Sequence, residues 1–263
     1  MQNNIKKILN IFEAKEELFI ISYPKCGRGW LKFMYLKAFE QHFRLKNLNV
    51  PEINPTQLSR KLPIPIIIPT HDGDPHRKTP ENVETSKHKY KNAKVIFLVR
   101  DPRDVLVSLY FHITKRSYYY HKSIHEFVFE SVGGFDTILR FYNIWAENFC
   151  ITKDYHIVRY EDLKADPHQE LRRVLHFIGI KDVQENTIKK AVEFASFENM
   201  RNMEITNTSP KSKLKPGDKN DPESYKTRRG KVGGYTDYLS SEEIEYLNQK
   251  MKTSLSDIYN YKV

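Results

Sequence analysis

A chain of 263 residues is long enough for one α/β domain or two small ones, and its 39% hydrophobic and 13% aromatic content can fill a core. A mean hydropathy of -0.64 excludes a helical membrane protein, since the longest apolar runs (LFIIS, IPIII, VIFLV) are too short to span a bilayer and suit buried strands. Forty-three Lys+Arg against 33 Asp+Glu leave a net charge of +10, which points either to an anionic partner or to a lysine-rich solubilising surface.

In chain order, residues 4–16 read as a short amphipathic helix with Ile5, Ile8, Leu9 and Phe12 on one face. The same stretch lacks a long apolar core and a small-residue cleavage site, so no signal peptide is expected and the cytoplasm is the default location. A strand over 18–23 leads into the loop YPKCGRGW and a helix over about 29–43. The proline-punctuated passage that follows holds one buried strand near 64–68 and then a loop. KVIFLVR (94–100) is the clearest strand; DPRD after it starts a helix, with Pro102 in the first turn, that runs to about residue 115. Helices are expected over 123–131 and 136–150, a strand over 155–160, a helix over 167–178, and helical patterns near 184–203 and 240–252. Strands alternating with helices predict a parallel sheet in a three-layer α/β sandwich, with a phosphate-loop-like strand–turn–helix, as a single domain over 1–263. Residues 204–234 lack apolar periodicity, are rich in Pro, Gly, Ser and Lys, and read as a mobile basic loop.

The chemistry lies at the strand-to-helix junctions. In YPKCGRGW the strand delivers backbone N–H groups to a helix N-terminus, an arrangement that binds anions, with Gly27 and Gly29 permitting close approach and Lys25 adding charge. The lysine stands before the glycines, unlike GxxxxGK(S/T). A thiol phosphatase loop, Cys-x5-Arg, needs arginine at position 32, which is Lys32 here. Cys26 therefore reads as a filler of a small site, and with Cys150 it forms neither a CxxC pair nor a disulfide framework. RDPRDVLVS (100–108) repeats the strand-to-helix arrangement, with Arg100 at its mouth and Ser108 two turns in. Two anion sites on one sheet imply one ligand with two separate phosphate groups. Arg228-Arg229-Gly230 adds charge from the basic loop.

Together these stretches resemble the soluble sulfotransferases that use 3′-phosphoadenosine 5′-phosphosulfate (PAPS). YPKCGRGW is similar to that family's 5′-phosphosulfate loop, YPKSGTTW, and RDPRDVLVS to its 3′-phosphate motif, RNPKDVAVS. VRYEDLKADP (158–167), FASFENM (194–200) and RRGKVGGY (228–235) resemble its later segments, all in family order. The resemblance implies that Lys25 and the amides of Cys26, Gly27, Arg28, Gly29 and Trp30 hold the 5′-phosphosulfate. It further implies that Arg100, Ser108, Arg228, Arg229 and Gly230 hold the 3′-phosphate, and that Trp30, Tyr160 and Phe197 surround the adenine. PTHDG (69–73) stands where the family has KTHLP, which makes His71 the general base, acting with Lys25 and Ser108 in the catalytic group. Pro69 replaces a lysine of that pattern, Arg28 and Gly29 replace two threonines, and Gly234 an aspartate.

The implied enzyme moves the sulfuryl group of PAPS to a hydroxyl or amine of a small organic acceptor. Adenosine 3′,5′-bisphosphate (PAP) is released, with no metal, nucleic acid or membrane required. A small-molecule kinase would want an acidic metal ligand where the strand over 94–100 ends in Arg100. A basic RNA-binding protein, the other alternative, would use Tyr118, Tyr119 and Tyr120 as a stacking platform.

Overall fold

The structure, a computed structural model, describes residues 15–46, 48–207, 209, 212 and 214–261. Apart from Lys15 and Glu16, the helix expected over 4–16 lies outside the described residues.

The apolar runs LFIIS, IPIII and VIFLV become three strands of one parallel sheet, β1 (Glu17–Ser22), β2 (Ile66–Thr70) and β3 (Lys94–Val99), completed by the more polar β4 (Asp154–Arg159), in the spatial order β2-β1-β3-β4. Continuous rather than alternating apolar sequence is what a parallel sheet covered on both faces demands. Accordingly Leu18, Ile20 and Ile21 of β1, and Val95 through Val99 of β3, are fully buried. Pro69, opposite Ile20, is tolerated because β2 is an edge strand with one unpaired side.

Helices form the outer layers. On one side α1 (Arg28–His42) packs with α7 (Pro167–Ile178) and α8 (Glu185–Phe194). On the other, α5 (Phe135–Asn148) packs with α3 (Pro102–Lys115) and α10 (Ser241–Ser254). Phe97 of β3 meets Phe141 and Trp145 of α5 and Tyr259 near the C-terminus, with ring centroids 5.9, 5.4 and 6.0 Å away. Each such fully buried apolar ring is worth about 1.5–3 kcal/mol over an exposed one. Helix starts follow local chemistry. Asp101 caps α3 by accepting from the Arg103 amide at 2.9 Å, and Ser123 and Ser240 form capping boxes with Glu126 and Glu243.

The expected strands and helices stand within a few residues of their anticipated limits. Four expectations change. The helix over 123–131 shrinks to α4 (Ile124–Val128), and the pattern over 184–203 divides into α8 and α9 (Phe197–Thr206), where Ser196 caps the second helix. The proline-rich passage also contains α2 (Pro55–Ser59), begun by an Asn54 cap, and α6 (Tyr160–Ala165) follows β4 directly. Among the described residues no helix is long and apolar enough to cross a membrane.

Candidate active site

The sheet order places four loops side by side at the carboxyl ends of the strands. β1 connects outward to β2 on one side and lies beside β3 on the other, so the crevice where strand order reverses opens between the loops after β1 and β3. That is where open α/β sheets bind ligands. Across this edge lie in turn His71 (after β2), the 23–30 loop (after β1), Arg100 (after β3) and Tyr160 (after β4).

The 23–30 loop turns sharply. Lys25 has φ 77° and Gly27 φ 96°. The first is a left-handed conformation that disfavours a residue with a Cβ, at a cost of about 1–3 kcal/mol. At Gly27 any side chain is excluded, because a Cβ there would come within 2.7 Å of the Tyr160 ring. The amides of Trp30 and Leu31 already bond to the Gly27 carbonyl at 2.9 and 3.1 Å, so the Trp30 amide is spent within the turn, and the amides of residues 26–29 remain at the positive end of α1. Cys26 is fully buried, and its Sγ lies 3.2 Å from the Tyr142 hydroxyl. Burial pushes its thiol up to about 12, so it stays protonated and is no nucleophile.

Cations converge on Lys25. Its pKa falls to about 7, chiefly through burial and then through Arg116, Lys226, Arg100 and Arg228. His112 on α3 feels the same field: burial, then Lys25 and Arg116, bring it to about 3, and its Nδ1 is buried without a partner among the described residues. Arg100 lies over the Tyr160 ring at 4.3 Å, donates from Nη2 to the Lys231 carbonyl at 2.9 Å and pairs with Asp104 at 3.3 Å. Its Nε is buried and unpartnered among the described residues. Ser108 stands half-buried two turns along the same helix.

The adenine-side residues meet as well. Trp30 donates from Nε1 to the Ala195 carbonyl at 2.8 Å, and its ring meets Tyr160 edge-on at 5.6 Å. Gly230 presses on Phe197, where a Cβ would sit 2.9 Å from the ring. A cavity of about 840 Å³ opens beside Trp30, Lys164, Ala195, Ser196 and Phe197.

His71 has a defined protonation state. Its Nδ1 lies 2.8 Å from the Ser22 carbonyl, which can only accept, so Nδ1 carries the proton and Nε2 is a bare lone pair. Burial, then the Arg28 guanidinium, lower its pKa to about 3. Arg28 is the surprise of the loop: its side chain turns away from the amides and donates from Nη2 to His71 Nε2 at 2.7 Å. The turn after His71 is fixed by Asp72 (φ 52°), a buried carboxylate paired with Lys87 and Lys89 at 2.7 Å each. Asp72 also accepts from the Tyr90 hydroxyl at 2.6 Å and Trp145 Nε1 at 3.1 Å. Burial alone would raise this carboxyl, but the two lysine bonds hold it below its usual value.

Arg228 and Arg229 are engaged within the protein, Arg228 with Glu223 and the Tyr238 hydroxyl, both at 2.7 Å, and Arg229 with Asp237 at 2.9 Å. Two carboxylates that the sequence pattern did not reveal tie their segment down. Glu204, fully buried, accepts from the amides of Lys226 and Thr227 at 2.6 and 2.9 Å. Asp104 accepts from those of Gly233 and Tyr235 at 2.9 and 3.0 Å. Tyr119 and Tyr120 line a separate cavity of about 530 Å³ with His76, Arg77, Leu109 and Ile113, beside His71 rather than as an isolated platform. The His76 and His71 rings are 6.4 Å apart.

Comparison with known proteins identifies the family and the fold. A sulfotransferase domain model matches residues 15–259. Cytosolic sulfotransferase 12 of Arabidopsis thaliana is 28% identical over 92% of this chain and 80% of its own length. Sulfotransferase 1C2 of Homo sapiens is 27% identical over 77% of this chain and 72% of its own. A mouse sulfotransferase complexed with PAP superposes with a TM-score of 0.62 at 21% identity, covering 98% of this chain and 92% of that one. Retinol dehydratase in complex with retinol and PAP gives 0.65 at 18% identity, covering 95% and 84%. The chain belongs to the sulfotransferase domain family, enzymes that move a sulfuryl group from PAPS to an acceptor.

Proposed function

We propose that this chain transfers the sulfuryl group of PAPS to a hydroxyl or amine of a small organic acceptor, with His71 as base and Lys25 facing the leaving group. One observation carries the reading: basic side chains gather at the carboxyl ends of β1 and β3, where Lys25 stands half-buried, and burial first, then Arg116, Lys226, Arg100 and Arg228, bring it to about 7. Such a cluster is relieved by a polyanion with two separated charges, as in a nucleotide bearing 5′- and 3′-groups. The residues present fit that ligand. The amides of residues 26–29 and Lys25 would take the 5′-phosphosulfate. Arg100, through its unpartnered Nε, would take the 3′-phosphate together with Ser108 and residues 228–230. Trp30, Tyr160 and Phe197 would enclose the adenine. When bound, the nucleotide supplies the sulfuryl group.

His71 then receives the acceptor's proton on Nε2 while the Ser22 carbonyl fixes its tautomer and steadies the imidazolium. Lys25 offsets charge growing on the bridging oxygen, in a loop already set by its backbone geometry, so that positioning and electrostatics carry most of the rate. The tyrosine-lined cavity beside His76 suits a compact aromatic acceptor. Incubation with PAPS and a mixed phenol, alcohol and amine library should give one class of product with a sulfonate mass gain. No gain in any class would defeat the proposal.

A further inference from the structure

Arg28 is a cation that hydrogen-bonds the base itself. It is the first residue of α1, so its own amide belongs to the anion-facing set, yet its guanidinium reaches across the crevice to His71 Nε2. The site an acceptor oxygen must occupy, within hydrogen-bond reach of Nε2, is therefore filled by Nη2 at 2.7 Å. The other terminal nitrogen, Nη1, is buried and has no partner among the described residues. The guanidinium is thus a planar fork, rooted in the first turn of α1, with one arm on the base and the other buried without a partner among the described residues. Resting on the function proposed above, we propose that Arg28 is a catalytic residue: the acceptor displaces its guanidinium from His71, and the fork then donates to the equatorial oxygens of the sulfuryl group in flight.

The step balances without further reagents. The acceptor oxygen forms a bond to sulfur and gives its proton to His71 Nε2. The bond from sulfur to the bridging oxygen breaks, its electron pair stays on the 5′-phosphate of PAP, and Arg28 keeps its proton throughout. Before the acceptor enters, the same contact keeps His71 neutral. The other groups facing that ring are the Ser22 carbonyl, His76 and Lys226; of these only the carbonyl favours the protonated form, so Arg28 and burial set the balance.

The test uses Arg28→Ala and Arg28→Lys in the full chain, with PAPS as donor and 4-nitrophenol or water as acceptor, following PAP formation. PAP affinity is measured by calorimetry, and the His71 ring is titrated by ¹⁵N NMR. Removing one preorganised donor to developing charge costs roughly 10²–10³ in turnover. Arg28→Ala should show that fall in kcat, PAP affinity within about threefold of wild type, and a His71 titration moved upward as the guanidinium leaves. Arg28→Lys should keep His71 low but recover only part of the rate, because an ammonium has no fork. Unchanged kcat in Arg28→Ala overturns the proposal. So does a loss of PAP affinity as large as the loss of rate, which would assign Arg28 to the nucleotide grip. An unmoved His71 titration would likewise overturn it by removing the contact. A wild-type enzyme that neither binds PAP nor releases it from PAPS would instead defeat the proposed function itself, and this role with it.

Discussion

Lys25 should take up a proton when nucleotide binds, and the size of the effect follows from its surroundings. In the free protein its half-buried ammonium, lowered first by desolvation and then by the charges of Arg116, Lys226, Arg100 and Arg228, has a pKa of about 7. A unit negative charge about 4 Å away at an effective dielectric of about 20 favours the charged form by ~4 kcal/mol, or about 3 pKa units, which returns Lys25 to its ordinary range near 10. At pH 8 the free protein then holds about 0.1 of a proton on this amine and the complex about one, an uptake of roughly 0.9. The sign follows from the raised value in the complex. Binding is strongest below the free-state pKa of about 7 and weakens by about tenfold per pH unit as pH climbs toward the raised value. Phosphate groups titrate near about pH 6 and are already ionised at pH 8, so they do not mask the effect. Calorimetry of PAP binding at pH 8, in two buffers of different ionisation enthalpy, reads the uptake directly. Lys25→Met should abolish it. Zero uptake in wild type, or the same uptake in Lys25→Met, would refute the placement of this amine at the anion site.

Three further outcomes are expected. His71→Asn should lose about 10²–10⁴ in turnover, the usual worth of a positioned base, with PAP affinity unchanged, since the anion contacts lie elsewhere; unchanged turnover would point to His76 instead. Glu204→Gln should weaken two amide contacts at residues 226 and 227, costing about 1.5–3 kcal/mol. Limited proteolysis within 214–234 should then accelerate, and saturating PAP should slow it again; a cleavage rate indifferent to PAP would contradict the coupling of this segment to the nucleotide. Native alkylation at neutral pH should modify Cys150, which is exposed, and spare Cys26, whose thiol is buried and held near 12; prompt modification of Cys26 would overturn its assignment as an inert wall.

The sheet was legible because β1, β2 and β3 carry apolar runs, and α3, α7 and α10 begin at Asp, Pro or Ser signals that act locally. α2 and α6 escaped for the opposite reason. Five or six residues give no period to read, and α6 follows β4 without any intervening loop. Within the candidate site, the Lys25 loop and Arg100 could be singled out from sequence because each sits at a strand-to-helix junction, the one with its glycines and the other as a lone arginine. Glu204 and Asp104 could not, since a carboxylate within a helix looks solvated until the fold brings backbone amides from the far segment onto it. Arg28 shows a further limit. Its position in the loop was evident, but the direction of its side chain depends on β2 lying next to β1, a pairing between residues far apart in the chain.

The central claim is that loops from adjacent strands grip one nucleotide by two separate phosphate groups. Side-by-side calorimetry of PAP and adenosine 5′-phosphate tests it most directly. Two charge-assisted contacts to the 3′-phosphate, at about 1.5 kcal/mol each, predict that PAP binds roughly 10²-fold more tightly. Arg100→Ala should erase most of that difference while leaving the 5′-phosphate nucleotide little affected. Equal affinity for the two nucleotides in wild type would contradict the account.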